Sequence, residues 1–295
     1  MLPVASRLGA WGTISPLMDR SAPISRTDPA AWTGAANAAR RVGRRIEHHA
    51  SIGSTNDRAR EVLRQPGSDG LAIVADLQTA GRGRRGRSWL SPPGANLMVS
   101  VPLRTRLDPH AAGLLGIAAA LAVRDACASV APEAGLAVRW PNDVVAPDGA
   151  KVAGLLLETA LEEGRLVEGV IGIGINANWQ RADMPAEIAA RATSLTDMIG
   201  VPVDRVSLLG TLLDSLDREI AALEAGDTPL ARLRTVSWLD GRRIELDLGG
   251  TMVQGLVAGI DDDGSLLLDG PDGRTAYTVG EVVRVLEAAT AGAVA

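Results

Sequence analysis

The segment that follows Asp108-Pro109 restricts the fold more than any other, because it is predicted to be a long helix that is apolar on nearly all sides. A helix at a protein surface keeps one polar face, so a helix without such a face must be covered by other elements. Its longest uncharged stretch, residues 111–123, falls short of the roughly 18 residues that a membrane span requires. We therefore expect this helix to be buried against a sheet, and we expect no association with a membrane.

Apolar runs on both sides of the helix are predicted to form that sheet. Strand patterns cover residues 71–76, 96–103, 136–140, 152–157 and 166–175. Further helices are predicted from Ser54 or Thr55 to about Leu63, over residues 185–198 and over residues 204–225. Together these elements predict an α+β fold with a mixed sheet and helices.

The pattern changes to short strands in the last part of the chain. They cover residues 243–248, 252–260, 265–269 and 275–279, and Gly-containing pairs at 249–250, 263–264 and 272–273 separate them as hairpin turns would. These strands predict a small C-terminal β-barrel.

Residues before about 40 mix Pro, Ser, Gly, Ala and Arg without a period, which is typical of a flexible extension or of a start codon placed too early. We accordingly divide the chain into four parts. These are an extension (residues 1–40), a large α+β domain (residues 41–232), a small barrel domain (residues 233–288) and a tail (residues 289–295).

The composition excludes several classes of protein. With 46% hydrophobic residues, 22% charged residues and a net charge of −5, the chain has the composition of a soluble globular protein and lacks the basic balance of proteins that coat nucleic acid. The only cysteine, Cys127, lies in an apolar run, so it is predicted to pack in the core and no intrachain disulfide can form. His48, His49 and His110 have no neighbouring cluster of metal ligands, which argues against structural zinc. The N-terminus lacks the order of a secretory signal, and we predict a cytoplasmic protein.

Residues 81–89, which we call the Gly/Arg loop, place four arginines among three glycines. Glycine lets backbone amides approach a phosphate closely, and arginine binds phosphate or carboxylate oxygens in pairs. Taken alone, such a run is also typical of a nucleic-acid-binding segment or of a solvated charged loop. The Gly/Arg loop lies between two predicted strands of the large domain rather than in a low-complexity tail, and this position favours an anion-binding site on a rigid scaffold.

Other candidate groups lie near the predicted strand ends. Trp89 could stack on a planar base or could simply pack. Asn142 and Asp143 follow a proline that ends a strand, where Asp143 could hold magnesium or orient the loop arginines, or the pair could form an ordinary turn. Asn176 ends a glycine-rich strand, residues 172–176, that lacks the third glycine of a dinucleotide loop. It could read an adenine edge, or the glycines could serve packing alone.

Lys151 is the only lysine among the 30 basic residues. Its compact ammonium group differs from a guanidinium as a point charge beside phosphate or acyl oxygens, although its survival could also be chance. Gly154, three residues later, would let a ligand lie against the strand.

The order of these motifs resembles that of the biotin protein ligase family. The resemblance extends from about residue 46 to 287 and rests on Ser54-Thr55-Asn56, Gln78, the Gly/Arg loop and residues 139–143, 151–154 and 172–176. It implies a class II synthetase-like biotin/lipoate ligase catalytic domain over residues 41–232 and an SH3-like barrel over residues 233–288. It also implies an enzyme that uses ATP and Mg²⁺ to activate biotin as biotinyl-5'-AMP, and that transfers biotin to a lysine of a biotin carboxyl carrier protein.

The resemblance also implies a role for most of the candidate residues. The biotin-binding set would be Ser54, Thr55, Asn56, Gln78, Gly81, Arg82, Gly83, Arg84, Lys151 and Gly154. The catalytic set, beside the biotin carboxylate and the α-phosphate, would be Arg82, Arg84 and Lys151. The adenylate-binding set would be Arg87, Trp89, Asn142 and Asn176, with Asp143 as the candidate metal ligand, while Arg85 receives no role. Acyl-adenylate formation needs charge neutralisation and positioning rather than an enzyme nucleophile, so a catalytic histidine is not required.

Three alternatives stay open. One form of the family carries an N-terminal helix-turn-helix domain and acts as a biotin-responsive transcriptional repressor, but residues 1–40 are short and interrupted by prolines, so we expect the form without a DNA-binding domain. Lipoate or octanoate ligases share the fold, although we do not associate the Gly/Arg loop with them. A nucleic-acid-binding module built on the loop arginines would show an affinity that falls steeply with salt.

Overall fold

The computed structural model describes residues 28–287 except residues 39, 66, 69 and 164. In this part of the chain, a seven-stranded sheet with helices is followed by a five-stranded antiparallel sheet. The predicted α+β architecture with a mixed sheet is confirmed.

The large sheet contains one parallel pair and five antiparallel pairs of strands. Its strands are β1 (Arg45–His49), β2 (Leu71–Ala75), β3 (Leu97–Leu107), β4 (Ala137–Arg139), β5 (Asp143–Val145), β6 (Lys151–Glu162) and β7 (Arg165–Ile175). They lie in the order β1-β2-β3-β7-β6-β5-β4, with β1 parallel to β2. The central strands β3, β7 and β6 are the longest strands of this sheet.

The helices of the described residues are α1 (Pro29–Trp32), α2 (Thr55–Leu63), α3 (Pro109–Val130), α4 (Ala186–Ala189), α5 (Leu195–Ile199), α6 (Arg205–Glu224) and α7 (Leu230–Thr235). The carboxylate of Asp108 caps α3 by accepting from the backbone N–H of Ala111 at 2.9 Å. The predicted burial of α3 is confirmed, because most of its apolar residues lie in the main core with those of the sheet and of α6.

The sequence estimate that this helix is too short to span a membrane needs correction. Among the described residues, segment Ala111–Val130 is the one helical segment that is long and apolar enough, by length and composition alone, to cross a membrane. Of its most apolar window, 61% is buried inside the protein. A buried core helix passes the same test of length and hydropathy.

Alternation along β7 gives the two faces of the large sheet different characters. Ile171, Ile173 and Ile175 belong to the core beneath α3, whereas Gly172 and Gly174 point to the opposite face. On this second face α2 packs against the sheet through a smaller cluster that includes Ile73 and Val170. We call this second face the glycine face. It is covered by α2 at one end, and beside α2, at Gly172 and Gly174, β7 itself contributes no side chain to it.

The five strands of the C-terminal sheet are β8 (Arg243–Asp247), β9 (Met252–Ile260), β10 (Leu266–Gly270), β11 (Gly273–Tyr277) and β12 (Glu281–Glu287), in the order β11-β10-β9-β8-β12. The predicted glycine turns are confirmed, since Gly249, Gly250, Gly264 and Gly273 all have positive φ. Closure of this sheet into a barrel stays a prediction. A hydrogen bond connects the C-terminal sheet with the large domain: the carbonyl of Gly264, between β9 and β10, accepts from the indole N–H of Trp140 at 3.0 Å.

The predicted flexible extension over residues 1–40 is wrong in its second part. Residues 1–27 lie outside the described residues, but Trp32 on α1 is fully buried. Its ring stacks on His48 with a centroid distance of 5.6 Å, and the Arg205 guanidinium lies 5.1 Å from its centroid. The aromatic ring gives this segment an anchor that the mixed composition around it obscured.

Other elements also differ from the sequence prediction. The single helix predicted over residues 185–198 is wrong, since Ser194 interrupts it and caps α5 through a reciprocal capping box with Asp197. The strands β1, β5 and β12 were not predicted. Pro141 ends β4 as expected, but the chain then turns back immediately to form β5.

Candidate active site

A cavity of about 550 Å³ lies between the glycine face of the large sheet, the Gly/Arg loop and the start of β12. It brings together almost every residue that the sequence singled out. The predicted residues that line it are Ser54, Thr55, Asn56, Gln78, Arg82, Gly83, Arg84, Arg87, Trp89, Asn142, Asp143, Lys151, Gly154 and Asn176.

Gly81, Arg85 and Gly86 are the three residues of the Gly/Arg loop that do not line the cavity. Gly81 is buried at the base of the loop, where its carbonyl accepts from the N–H of Trp89 at 3.0 Å and an added Cβ would lie 2.6 Å from the Trp89 carbonyl oxygen. Gly81 therefore helps to close the loop, while its predicted contact with biotin stays a prediction. Arg85 is not among the cavity-lining residues.

The floor of the cavity consists of Gly154, Gly172 and Gly174, where no side chain rises from the sheet. A Cβ on Gly172 would lie 2.1 Å from the Asn56 amide oxygen, and a Cβ on Gly174 would lie 2.4 Å from the nearest ring atom of Trp89. The floor thus admits other side chains, or a ligand, to within contact distance of the backbone. The glycines of residues 172–176 thus lie on the cavity side and the isoleucines between them in the core, while an adenine contact by Asn176 stays a prediction.

One end of the cavity is polar and closely hydrogen-bonded. The amide oxygen of Gln78 accepts from the backbone N–H of Thr55 at 2.8 Å and from its hydroxyl at 3.1 Å. Ser100 Oγ lies 2.7 Å from Thr55 Oγ1 and 2.6 Å from Asn56 Oδ1. The Asn56 amide N–H donates to Glu158 at 2.8 Å. These bonds fix the donors and acceptors that a small polar ring system would meet.

The middle of the cavity contains a charged cluster around Asp143. Lys151 Nζ lies 2.6 Å from Asp143 Oδ1, and Arg139 donates to Asp143 Oδ2 at 2.8 Å. Burial by itself would raise the pKa of Asp143, but the charges and hydrogen bonds of Lys151 and Arg139 outweigh it and hold this pKa below its ordinary value. Asp143 is therefore an anion that orients two cations toward the cavity.

This geometry bears on the prediction that Asp143 holds a metal. Each of its carboxylate oxygens already contacts a cationic side chain, and the described residues contain no group of three His, Cys, Asp or Glu that could enclose an ion. The donor set therefore does not fit a metal site built from protein groups alone. Mg²⁺ commonly binds through substrate phosphates with only one or two carboxylates, so it would have to enter with a phosphate ligand.

The arginines of the Gly/Arg loop that line the cavity each have polar partners. Arg82 lies 2.8 Å from Asp57 and 3.4 Å from Glu158. Arg84 donates to the Asn142 amide oxygen at 2.8 Å, and burial lowers the pKa of its guanidinium. These contacts counter the mutual repulsion of the loop cations even before an anionic ligand arrives.

Trp89 forms the wall of the cavity beside the charged cluster. Lys151 Nζ lies 5.5 Å from the centroid of its ring, within the range of a cation–π interaction. The indole N–H is buried and has no hydrogen-bond partner among the described residues.

Asn142 and Asn176 also line the cavity. The Asn176 amide donates to the Lys151 carbonyl at 3.2 Å and accepts from Asn96 at 3.3 Å, while the Asn142 amide oxygen is used by Arg84. Both amides therefore fix the surrounding backbone and loop in this state.

Sequence reasoning missed several residues of the site. Ser100 lies on a predicted strand and Glu158 lies one residue beyond another, but neither has a motif around it. Only the alternation of β3 and β6 could have placed them on the glycine face. Glu281, Val282 and Val283 reach the cavity from the C-terminal sheet. The run of valines after Gly280 is a strand signal that could have predicted β12, but not its contact with the cavity.

Two known families match separate ranges of the chain. Residues 49–176 match the Biotin/lipoate A/B protein ligase family, and residues 241–285 match the family described as Biotin protein ligase C terminal domain. The first range contains the whole floor of the cavity and the Gly/Arg loop.

Whole proteins with similar sequences and structures carry related names. The Biotin--[acetyl-CoA-carboxylase] ligase of Mycobacterium tuberculosis is 36% identical over 82% of this chain and 90% of its own length, and that of Paracoccus denitrificans is 37% identical over 78% and 96%. The solved structure of Biotin protein ligase from Aquifex aeolicus in complex with biotin and ATP aligns with a TM-score of 0.67 and 29% identity, over 80% of this chain and 96% of that chain.

Proposed function

The chain belongs to the biotin protein ligase family, and we propose that its cavity joins biotin to ATP as biotinyl-5'-AMP and then delivers the biotinyl group to a lysine of a biotin carboxyl carrier domain. The observation that carries this proposal is the single cavity in which a fixed polar end adjoins a cluster of cations. The relatives' names and the complex of the Aquifex aeolicus protein with biotin and ATP support the substrates.

The two ends of the cavity fit the two ends of biotin. Thr55, Asn56 and Gln78 form the polar end of the cavity and would meet the ureido ring of biotin. The cationic side chains of Arg84 and Lys151 line the same cavity and would face the carboxylate at the other end of the molecule. Arg82 pairs with Asp57 and Glu158 beside the polar end and would have to turn to reach that carboxylate. A planar guanidinium and a compact ammonium together can bind a carboxylate and a neighbouring phosphate.

In the first step a carboxylate oxygen of biotin attacks the α-phosphorus of ATP. The new oxygen–phosphorus bond forms as the bond to pyrophosphate breaks, and no side chain of the enzyme becomes covalently linked. Negative charge of both reactants must be brought together, so the contribution of the cations is to neutralise that charge and to hold the reacting atoms in place. Trp89 lines the cavity beside Lys151 and would lie on the adenylate side.

In the second step the ε-amine of the acceptor lysine attacks the acyl carbon of the mixed anhydride. The carbon–nitrogen bond forms, the bond to the AMP oxygen breaks and the amine loses a proton. The same cations that assisted adenylation lie beside the leaving phosphate. Mg²⁺, when it enters with ATP, would supply positive charge to the leaving pyrophosphate, and the acidic side chains that line the cavity are Asp143 and Glu281.

Exchange of pyrophosphate into ATP in the presence of biotin tests the first step. Lys151→Ala and Arg84→Ala are expected to reduce this exchange about 100-fold or more, by analogy with the loss of one preorganised charge-stabilising group. Arg218→Gln, on the exposed side of α6, is the matched control and should retain the wild-type rate. Thermal unfolding of each variant shows whether the fold is retained.

The same assay separates the alternative substrates. Offering biotin, lipoate and octanoate in parallel, with mass spectrometry of the acyl-adenylate, identifies the acid that the cavity accepts. Exchange with lipoate or octanoate but not with biotin would contradict the proposal. So would the absence of exchange with every acid, or an equal rate in the Lys151→Ala variant.

A further inference from the structure

Arg85, which received no role from the sequence, points away from the cavity and into the C-terminal sheet. One of its guanidinium nitrogens forms a short ion pair with the Asp247 carboxylate, and a second donates to the Asp247 carbonyl at 2.8 Å. The Nε atom lies 3.8 Å from Glu281 Oε2. A single guanidinium thus meets three oxygens of two residues of the C-terminal sheet. We call Arg85, Asp247 and Glu281 the Arg85 clamp.

The receptor for Arg85 is built into the pairing of β8 with β12. Asp247 and Glu281 lie directly opposite each other in the antiparallel register, and like charges in that position destabilise a sheet. The guanidinium placed between them removes this repulsion. The C-terminal sheet therefore needs a cation at this end, and the Gly/Arg loop supplies it.

The side chain of Asp247 is oriented before it meets Arg85. Its Oδ1 atom accepts from the backbone N–H groups of Gly249 and Gly250 at 2.8 and 2.7 Å, in the turn between β8 and β9. The hydrogen bonds from Gly250 and Gly249, together with Arg85, lower the pKa of Asp247. One oxygen is thus used to hold the turn, and the other is left to face Arg85.

The same end of the C-terminal sheet also touches the arginines that line the cavity. Arg87 lies 2.6 Å from Glu281 Oε1, and Arg84 donates to the Gly280 carbonyl at 3.2 Å. Between them the loop makes a tight turn that is closed by the Gly83 N–H donating to the Arg87 carbonyl at 2.7 Å. Because this turn is short and closed, fixing Arg85 from outside restricts the positions of Arg84 and Arg87 inside the cavity.

We propose that Arg85 is a positioning residue and that the pair Asp247 and Glu281 is its receptor, so that the C-terminal sheet fixes the loop cations that meet the phosphates of the nucleotide. This inference rests on the proposed function for its kinetic consequence, whereas its effect on the loop is independent of any substrate. It gives the C-terminal sheet a defined part in the site without a side chain that must itself touch the reacting atoms.

The kinetic test uses Arg85→Gln, Asp247→Asn and the double variant. Asparagine at position 247 keeps an oxygen for the turn between β8 and β9 and removes only the charge that faces Arg85. We expect the KM for ATP to rise about tenfold in each single variant and by no more than that in the double variant, because both changes remove the same interaction. The kcat at saturating ATP should change less than the KM. The matched control is Asp269→Asn, which removes a similar exposed ion pair with Arg274 between β10 and β11.

The structural test measures hydrogen exchange of the loop amides, residues 81–89, in the full chain without ligands. Exchange should be faster in Arg85→Gln and Asp247→Asn than in the wild type or in Asp269→Asn, because only the first two release the loop. Unchanged exchange in Asp247→Asn overturns the proposal whatever the kinetics, as does a KM for ATP within twofold of wild type. If the wild type shows no biotin-dependent exchange of pyrophosphate while loop exchange rises in the variants, the proposed function falls and the clamp stands.

Discussion

Substitution of Gly174 by alanine offers a sharp test of the cavity floor. An added Cβ would lie 2.4, 2.5 and 2.9 Å from three ring atoms of Trp89, whereas ordinary contact begins at 3.4 Å. The ring must therefore move by about 1 Å, and a misplacement of about this size near a reacting centre can reduce the rate by about 100-fold. Trp89 lies on a partly exposed loop, so it can yield, and we expect the free energy of unfolding to fall by less than the ~1–3 kcal/mol typical of an overfilled core.

The assay for Gly174→Ala is biotin-dependent exchange of pyrophosphate into ATP, with chemical denaturation measured in parallel. Gly210→Ala is the matched control, because Gly210 lies on α6 with no atom within 4 Å of the added Cβ. That control should keep full activity and gain about 0.5–1 kcal/mol in stability from the helix preference of alanine.

A double-variant comparison identifies Trp89 as the cause. If the loss arises from displacement of the ring, Gly174→Ala should cost little further activity in a Trp89→Ala background. Activity of Gly174→Ala within threefold of wild type would refute the reasoning. An equal loss in both backgrounds would show instead that the floor itself, rather than the wall, contacts the ligand.

Two further expectations concern stability. Arg205 is 4% exposed and lies 3.0 Å from the buried Asp76. The substitution Arg205→Met should lower the free energy of unfolding by about 3–5 kcal/mol, since the carboxylate is then left without its guanidinium. A loss below 1 kcal/mol in urea denaturation would contradict this. The depressed pKa of Asp143 means that its ion pairs stabilise the fold fully above its unfolded value of 3.8 and lose that contribution as the pH falls through its lower folded pKa. The stability difference between wild type and Asp143→Asn should therefore be constant at neutral pH and shrink in strong acid, and a difference that does not vary with pH would count against it.

Much of the site could be predicted from the sequence, because many of its residues belong to patterns within single short segments. The glycines of β7, the cations of the Gly/Arg loop and the polar start of α2 each follow from a pattern within a few residues, and alternation then places the glycines on one face. The buried helix α3 follows from its composition in the same way.

The parts that sequence reasoning missed depend on partners far away in the chain. Asp143 reads locally as a turn residue or metal ligand, and only the fold shows that Lys151 and Arg139 occupy both of its oxygens. Arg85 and Asp247 are 162 residues apart, so no local pattern could pair them. Trp32 was concealed by the proline-rich and glycine-rich composition around it, since one buried ring is enough to anchor a segment.

The presence of only one lysine in the sequence affects whether the enzyme would be biotinylated by its own intermediate. The proposed intermediate is a mixed anhydride that reacts with free amines, and the other 29 basic side chains are guanidinium groups, which stay protonated and do not compete as nucleophiles. Lys151 is held by Asp143 inside the cavity. The surface of this chain therefore has no lysine amine that could react with an anhydride released from the cavity. The absence of any other lysine from the sequence thus favours labelling of the acceptor protein over labelling of the ligase.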